Sequence, residues 1–324
     1  MAKTQEKSLL KTAESIVKTS LALQHGEKFL IITDVATYPI GHAFFDAGLK
    51  VGAEAILTVI RERNRHGEEP PPPVAKAWEN SDVYIAPTKY SLSHTQARKA
   101  ATQAGARGAT MPSITTAMFR AGAITADYSE VRRLCEKIGV LMDKASEVHV
   151  TSKKGTDITM SIQGRVVERD TGLLLERGDF GNLPAGEVYT APVEGSANGT
   201  LVFDGAIASV GLLREPVTVS VREGLATQIT GGPKAARFDA MLSAAKKKEA
   251  YNIAELGVGC NPKGRLIGNV LEDEKVYGTV HIALGDNSTF GGKVQAGIHL
   301  DGIMLNPSLF LDGRPVITEG TWTI

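Results

Sequence analysis

The sequence is poor in cysteine, and this scarcity excludes several kinds of protein. Only two cysteines, Cys135 and Cys260, occur in 324 residues, and they lie far apart. Two isolated cysteines cannot build a disulfide scaffold, nor a zinc finger, in which cysteines come in closely spaced pairs. The chain must therefore rely on a hydrophobic core and on other side chains for its chemistry.

Long apolar runs are missing as well. No stretch reaches the roughly 18 apolar residues that a membrane-spanning helix needs. The N-terminal segment "MAKTQEKSLLKTAESIVKTSLAL" has the spacing of an amphipathic helix and lacks the apolar region of a signal peptide. We therefore expect a cytoplasmic protein without a membrane span.

Neither sign of charge is in excess. The chain has 36 basic and 36 acidic residues and a pI of about 7.1. Such a balance lacks the basic surplus that attracts nucleic acid or an anionic membrane surface. The expected partner is therefore a small molecule or a short peptide. Several catalytic motifs are also absent, since the sequence contains no GxGxxG after a strand, no Walker loop, no GxSxG and no HExxH.

The first part of the chain, residues 1–145, alternates between strand and helix patterns. Apolar runs at 28–34, 54–60 and 82–87 are typical of strands, and helical patterns separate them. A long amphipathic helix is expected at 126–146, and Ser93 is the predicted N-cap of an earlier helix. This alternation predicts an α/β domain with a parallel sheet covered by helices.

The pattern changes after about residue 146, where polar and apolar residues alternate. The segment "EVHVTSKKGTDITMSIQGRVVERD" has a glycine turn at Gly155 and is typical of a β-hairpin, and "LFLDGRPVI" repeats this arrangement near the end. One helix is expected at 233–248. Residues 146–324 are therefore predicted to form a second, mostly antiparallel β-rich domain, and this domain carries the candidate site.

Five polar side chains of this second domain suggest a metal site. They are Glu255, Glu272, His281, His299 and Asp301. His299 and Asp301 are two positions apart, so in a strand both side chains lie on the same face. Carboxylate oxygens and imidazole nitrogens are common ligands of divalent metal ions. Three carboxylates and two histidines exceed the needs of one tetrahedral ion, and they fit better two ions that share a bridging carboxylate.

Most of these residues also have a simpler explanation. Glu272 lies in the charged segment "LEDEK", which is compatible with an exposed turn. His281 has apolar neighbours and is compatible with a hydrogen-bonded core histidine. The pair of His299 and Asp301 is a weak motif by itself. Glu255 is more informative, because a carboxylate in an apolar strand is seldom buried without a partner. The pattern alone therefore leaves the metal site as a hypothesis.

Several sequence motifs occur in the same order as the characteristic motifs of a known family. They are "SLSHTQAR", "NLPAGEVYTAPVEGSANGTLVFDG" (182–205), "AELGVG", "LEDEK", "GTVHIALGD" and "IHLDG". In this order they resemble the thermophilic metallopeptidases aminopeptidase T and aminopeptidase S. The resemblance covers most of the chain and is strongest from about residue 180 onward. It implies an α/β domain followed by a metal-binding domain, in a homodimer.

The resemblance also implies a reaction and a set of site residues. It places two zinc, cobalt or manganese ions on Glu255, Glu272, His281, His299 and Asp301, with Glu255 and Glu272 as the catalytic residues. The implied reaction is hydrolysis of N-terminal residues from peptides by a metal-activated water.

Three further residues are candidates for contact with the substrate. They are Glu187 in "GEVYTAP", Ser288 in "GDNST" and His94 in "SLSHTQAR", although a plain capping-turn role also suits His94.

The chain departs from those aminopeptidases in two places. Ser288 stands where they carry a tyrosine, and "GGKVQAGIHLD" is similar to a segment of a divergent branch, the iron-dependent dioxygenases that open 2,5-dihydroxypyridine. That branch uses a single iron held by histidines and an aspartate, and it has a histidine where this chain has Glu255. Because Glu255 and Glu272 are retained, we expect a metal-dependent aminopeptidase. The alternatives are an Fe(II)-dependent ring-cleaving dioxygenase and a non-catalytic binding protein on the same scaffold.

Overall fold

The computed structural model describes residues 2–324, with side chains from Lys7 onward, so Met1 of the predicted N-terminal helix lies outside the described residues. Contacts between residues divide the chain into two units. One unit contains the residues up to Arg132 together with Asp170–Ala185, and the other contains Arg133–Arg169 together with Gly186–Ile324. The domain boundary predicted after residue 145 stays a prediction. Between residues 2 and 324, no helix has the length and apolar character needed to cross a membrane, and the cytoplasmic location also stays a prediction.

The helices and strands follow the alternation expected from the sequence. The helices are α1 (Ala2–Thr19), α2 (Tyr38–Val51), α3 (Pro72–Glu79), α4 (Gln96–Ala104), α5 (Thr116–Arg120), α6 (Tyr128–Met142), α7 (Pro233–Ala244) and α8 (Val270–Asp273), with short 3-10 helices at Ala123–Thr125 and Lys248–Tyr251. The first ten strands are β1 (Lys28–Asp34), β2 (Glu54–Ile60), β3 (Val83–Thr88), β4 (Arg107–Pro112), β5 (Glu147–Thr151), β6 (Asp157–Ser161), β7 (Glu168–Asp170), β8 (Phe180–Asn182), β9 (Glu187–Thr190) and β10 (Asn198–Phe203). The remaining strands are β11 (Ala206–Ile207), β12 (Gly211–Leu212), β13 (Val217–Arg222), β14 (Leu225–Thr230), β15 (Ile253–Gly259), β16 (Val280–Gly285), β17 (His299–Met304), β18 (Ser308–Leu311), β19 (Arg314–Thr318) and β20 (Thr321–Trp322).

The first unit is built on a five-stranded sheet in the order β2-β1-β3-β4-β8. All of its neighbouring strands are parallel. Six of the seven residues of β1 and every residue of β3 are buried, as expected for a parallel sheet covered on both faces. The predicted α/β domain with a parallel sheet is confirmed.

The start of α4 differs by two residues from the prediction. Its N-cap is Thr95, whose hydroxyl accepts a hydrogen bond from the backbone N–H of Arg98 at 3.2 Å. The predicted cap, Ser93, instead has its Oγ 2.6 Å from Oγ1 of Thr110, on a neighbouring strand of the sheet. The prediction of Ser93 was wrong because two hydroxyl residues lie in the same turn, and a tertiary hydrogen bond engages the first.

The second unit contains two antiparallel sheets. The eight-stranded sheet has the order β14-β13-β10-β6-β5-β18-β19-β20, and the seven-stranded sheet has the order β12-β11-β17-β16-β15-β9-β7. The predicted hairpin around Gly155 is formed by β5 and β6, and the predicted terminal hairpin is formed by β18 and β19. The predicted helix at 233–248 is present as α7, which ends earlier, at Ala244. The mostly antiparallel C-terminal region is therefore also confirmed.

Two central strands of the seven-stranded sheet are buried along their whole length. All seven residues of β15 and all six of β16 are buried. Strands buried on both faces are usually apolar throughout, and a charged group within them requires partners. Glu255 on β15 and His281 on β16 are the exceptions, and their partners define the candidate site.

Candidate metal centre

The pairing of β15, β16 and β17 brings the predicted ligands onto one face of the sheet. Gly257 is paired with His281, and Glu255 is paired with Ala283. Ala283 is in turn paired with Asp301 on β17. Because directly opposed residues of antiparallel strands share a face, the side chains of Glu255, His281 and Asp301 all lie on the same side.

The same face extends to one residue at each edge of this group. Glu187 on β9 is paired with Gly259, and His299 on β17 is paired with Gly285. Four strands thus contribute five ionisable side chains to one surface. Residues with short side chains stand opposite them and leave space between them.

A β-bulge decides the direction in which Glu255 points. Ile253 is paired with Leu284, whereas Glu255 is paired with Ala283, so the register shifts between them. Leu284 and Ala283 are consecutive and lie on opposite faces of the sheet. The bulge therefore turns Ile253 to one face and Glu255 to the other, although the two residues are two positions apart. This allows an apolar side chain and a carboxylate to be buried on different sides of one strand.

Gly257 provides the space for His281. A Cβ atom at position 257 would lie 1.9 Å from Nε2 and 2.2 Å from Cε1 of the imidazole. No side-chain carbon can be accommodated at such distances, so the ring of His281 occupies the volume that any other residue at 257 would fill. The glycine is therefore required by the close approach of a neighbouring side chain.

The five side chains form two overlapping groups around Glu255. Its Oε1 lies 3.3 Å from Nε2 of His281, and its Oε2 lies 3.3 Å from Nε2 of His299. His299 Nε2 is also 3.4 Å from Oδ1 of Asp301, and His281 Nε2 is 3.2 Å from Oε2 of Glu187. In each group, one ligand atom from each of three residues lies within 4.8 Å of the others. The groups are Glu255–His299–Asp301 and Glu187–Glu255–His281, and both are possible metal-binding groups.

The protonation equilibria follow from this crowding. Burial opposes the ionisation of Glu255, but hydrogen bonds with His281 and His299 outweigh it and lower the pKa of Glu255 to about 2. Burial also lowers the pKa of both histidines, yet the carboxylates beside them raise each pKa well above its ordinary value. The two imidazolium charges thus offset the carboxylates. A metal cation at this position would replace both protons, because ligating histidines must be neutral.

His299 is oriented by the backbone. Its Nδ1 lies 2.7 Å from the carbonyl oxygen of Asp286, which can only accept a hydrogen bond. Nδ1 therefore carries a proton, and in the neutral ring Nε2 presents its lone pair to the carboxylates. Asp286 is itself held, since its Oδ2 accepts from the N–H of Gly297 at 3.0 Å and its Oδ1 accepts from the hydroxyl of Ser288 at 2.7 Å.

A buried lysine that was not among the predicted site residues also belongs to the site. Lys275 is fully buried, and its Nζ donates to Oε1 of Glu187 at 2.5 Å and to Oε1 of Glu274 at 2.7 Å. Burial raises the pKa of Glu274 to about 8, and the charges of Glu187 and Asp301 add to this increase although Lys275 opposes it. Lys275 lies in the segment "LEDEK", whose composition is typical of an exposed turn, so no local signal indicated its burial.

The other predicted site residues lie outside the two groups. Glu272 is fully buried in α8, so "LEDEK" is not an exposed turn there, and its Oε1 accepts from Nε of Arg265 at 3.0 Å. Ser288 is exposed and donates to Asp286. His94 belongs to the other unit and is exposed in the turn before α4. The roles predicted for these three residues stay predictions.

Comparison with known proteins indicates a family. The family model described as NicX, 2,5-dihydroxypyridine 5,6-dioxygenase, matches residues 9–324. The curated 2,5-dihydroxypyridine 5,6-dioxygenase of Pseudomonas putida is 29% identical over 192 residues, which cover 56% of this chain. The match spans about half of that relative, or 55% of its length.

Two solved structures have the same fold. The 2,5-dihydroxypyridine dioxygenase from Pseudomonas putida matches with a TM-score of 0.86 at 20% identity, over 98% of this chain and 97% of that one. Wild-type AmpT from Thermus thermophilus matches with a TM-score of 0.74 at 18% identity, over 98% of this chain and 99% of that one. At such identities the likeness concerns the fold alone.

These comparisons correct the expected function. The expectation of an aminopeptidase, and with it of a hydrolase and protease, was wrong, because the matching family and the curated relative are dioxygenases. The fold that the resemblance to the thermophilic metallopeptidases implied is shared by AmpT.

Proposed function

This chain belongs to the NicX family of 2,5-dihydroxypyridine 5,6-dioxygenases, and on this premise we propose that it is an Fe(II)-dependent dioxygenase that opens the ring of a dihydroxypyridine-like substrate. The observation that carries the proposal is the group of Glu255, His299 and Asp301, whose ligand atoms lie within 4.8 Å of one another. These three residues are the proposed iron ligands.

One buried atom at the cluster supports a bound cation. Oε2 of Glu187 is buried and receives no well-directed hydrogen bond, although it lies 3.2 Å from Nε2 of His281. A buried carboxylate oxygen without a well-directed donor is costly and is compensated by a nearby positive charge. Glu187 belongs to the second group, which shares Glu255 with the proposed ligands, so the cluster fits a metal ion.

Charge favours one divalent ion over two. The carboxylates of Glu187, Glu255 and Asp301 are three negative charges, and the ammonium of Lys275 offsets one of them. Glu274 adds little negative charge near neutral pH because its pKa is about 8. The remaining two charges match one divalent ion when the histidines are neutral, whereas a second ion would leave an excess positive charge in a buried place. We therefore propose a single ion instead of the two expected from the sequence.

Each residue has a distinct task in this proposal. Bound Fe(II) would supply the redox chemistry that lets O₂ react with an aromatic ring. The carbonyl of Asp286 holds His299 in the tautomer whose Nε2 lone pair is available. His281 contacts Glu255 and restrains its carboxylate. Lys275 donates to Oε1 of Glu187 and fixes the position of this carboxylate beside the group.

The proposed ligands depart from the usual set of two histidines and one carboxylate. Here the group contains one histidine and two carboxylates, because Glu255 stands where the dioxygenase branch has a histidine. The variant Glu255→His would restore the usual set. With a single ion, it should retain about one iron per chain, whereas Glu255→Ala should lose most of it. If Glu255 instead bridges two ions, Glu255→His should lose one of two bound metals.

Oxygen consumption tests the activity directly. Protein purified without oxygen and loaded with Fe(II) should bind about one iron per chain and consume O₂ when 2,5-dihydroxypyridine is added. His299→Ala should lose both iron and activity. Glu272→Gln should retain iron, since Glu272 contacts Arg265 outside the group. Full iron occupancy without oxygen consumption would refute the proposed activity, and about two ions per chain would refute the single-ion site.

A further inference from the structure

Two aromatic side chains lie on the same side of the sheet as the candidate iron group. Tyr189 is two residues after Glu187 on β9 and is paired with Gly257, so its ring is on the face that carries the ligands. Phe290 lies in the loop between β16 and β17. Both side chains are only partly buried, although aromatic rings of this size usually contribute to the core.

The two rings and the imidazole of His299 are in contact. The rings of Phe290 and His299 are 5.7 Å apart between centroids and almost perpendicular, at 88°. The rings of Tyr189 and Phe290 are 5.6 Å apart at 77°. These are edge-to-face arrangements, which aromatic pairs favour. The aromatic residues therefore border the ion site directly, through one of its proposed ligands.

The loop that carries Phe290 is held in place by polar contacts around one buried side chain. Asn287 is fully buried, and its Oδ1 accepts from the N–H of Val294 at 2.8 Å. Glu194 accepts from the N–H of Lys293 at 2.8 Å and from the amide of Asn287 at 3.3 Å. Such anchoring on both sides of Phe290 limits the movement of its ring, so the position of the ring is largely prepared before any ligand binds.

We propose that Tyr189 and Phe290 form an aromatic wall that contacts the flat ring of the substrate and selects aromatic over saturated rings. The inference rests on the proposed function, because it assumes that a ring is held at the group of Glu255, His299 and Asp301. Aromatic rings attract one another through edge and offset contacts that a saturated ring of equal size cannot make. The wall thus acts as a specificity determinant, and the adjacent charged group acts on the polar substituents.

Binding measurements without oxygen test the wall separately from turnover. Calorimetry of the iron-loaded protein would compare 2,5-dihydroxypyridine with a saturated dihydroxypiperidine. In Phe290→Leu and Tyr189→Leu, an apolar side chain remains but the aromatic face is lost. We expect about tenfold weaker binding of the pyridine, little change for the piperidine and unchanged iron content. Phe290→Tyr should restore the preference.

The chain offers a matched control. Phe310 on β18 also stacks on a histidine, His149, with 5.7 Å between ring centroids, but it belongs to the other sheet of the unit. Phe310→Leu should leave both affinities unchanged. An equal loss of affinity for both rings, or pyridine affinities within about twofold of the native value, would overturn the wall. Loss of iron from Phe290→Leu would overturn it as well, since Phe290 would then support His299.

The outcomes separate the two proposals. If the native protein binds the pyridine with the predicted preference but consumes no oxygen, the proposed function fails and the wall is supported. If the native protein consumes oxygen and the leucine variants bind the pyridine normally, the wall fails and the proposed function is supported. Native protein that binds neither ring would overturn both.

Discussion

Adding one methyl group at Gly257 is a direct test of how the site is built. In Gly257→Ala the new Cβ would lie 1.9 Å from Nε2 of His281, so the imidazole must move away from Glu187 and Glu255. His281 is fully buried, so its ring can move only by displacing its contacts with neighbouring groups. The variant therefore probes one steric contact and the electrostatic contacts that depend on it.

The expected loss in the free energy of unfolding follows from the known costs of overpacking and of losing a hydrogen bond. Forcing an extra methyl group into a packed interior typically costs about 1–3 kcal/mol, and a charge-assisted hydrogen bond that is lost costs about 1.5–3 kcal/mol. Because the ring need not lose every contact, we expect a total decrease of about 2–4 kcal/mol in the free energy of unfolding of the metal-free protein. In a His281→Ala background the obstructing ring is absent, so the same methyl group should cost less than about 0.5 kcal/mol.

A double-mutant cycle measures this difference. Urea titrations followed by circular dichroism would give the free energies of unfolding of the native protein, Gly257→Ala, His281→Ala and the double variant. Gly302→Ala is the control, because its Cβ would meet the ring of Phe203 at 2.5 Å rather than His281. Its cost should be the same in both backgrounds. Equal costs of Gly257→Ala in both backgrounds would refute the steric argument.

Two further changes test the buried charges. Lys275→Met leaves the carboxylate of Glu187 buried without its ammonium partner and should cost about 3–5 kcal/mol in urea unfolding. Lys153→Met, which removes an exposed ion pair, should cost less than about 1 kcal/mol, and similar costs for the two would contradict the argument. Glu194→Gln should lower the free energy of unfolding by about 1–2 kcal/mol at pH 7. Burial raises the pKa of Glu194, but hydrogen bonds from backbone N–H groups and from Arg165 outweigh burial and lower this pKa, so the folded state favours the carboxylate. That stabilisation is present above the unfolded pKa of about 4.3 and is lost as the pH falls through the lower pKa of the folded state. If the native protein and the variant still differed in free energy of unfolding below that pH, the argument would be contradicted.

The fold class could be predicted because it depends on local periodicity. Apolar runs such as 28–34 and 54–60 became the parallel strands β1 and β2, and the hairpin around Gly155 was evident from alternation and its turn. The details that failed depend on contacts between distant segments. Ser93 was predicted to cap α4, but its hydroxyl is engaged by Thr110. The prediction of a peptidase was wrong because the retained Glu255 and Glu272 outweighed the segment "GGKVQAGIHLD", which is similar to the dioxygenases.

That His299 and Asp301 share a face could be predicted without a structure, because side chains in a strand alternate with a period of two. The apolar neighbours of Glu255 likewise indicated that its carboxylate needs partners. Which partners these are depends on the pairing of strands that are distant in sequence. The bulge after Ile253 turns Glu255 toward both histidines, and strand pairing places it beside Asp301. The burial of Lys275 was equally hidden, because its position depends on Glu187, 88 residues away along the chain. Period is a property of neighbours in sequence, whereas register and burial depend on which strands meet.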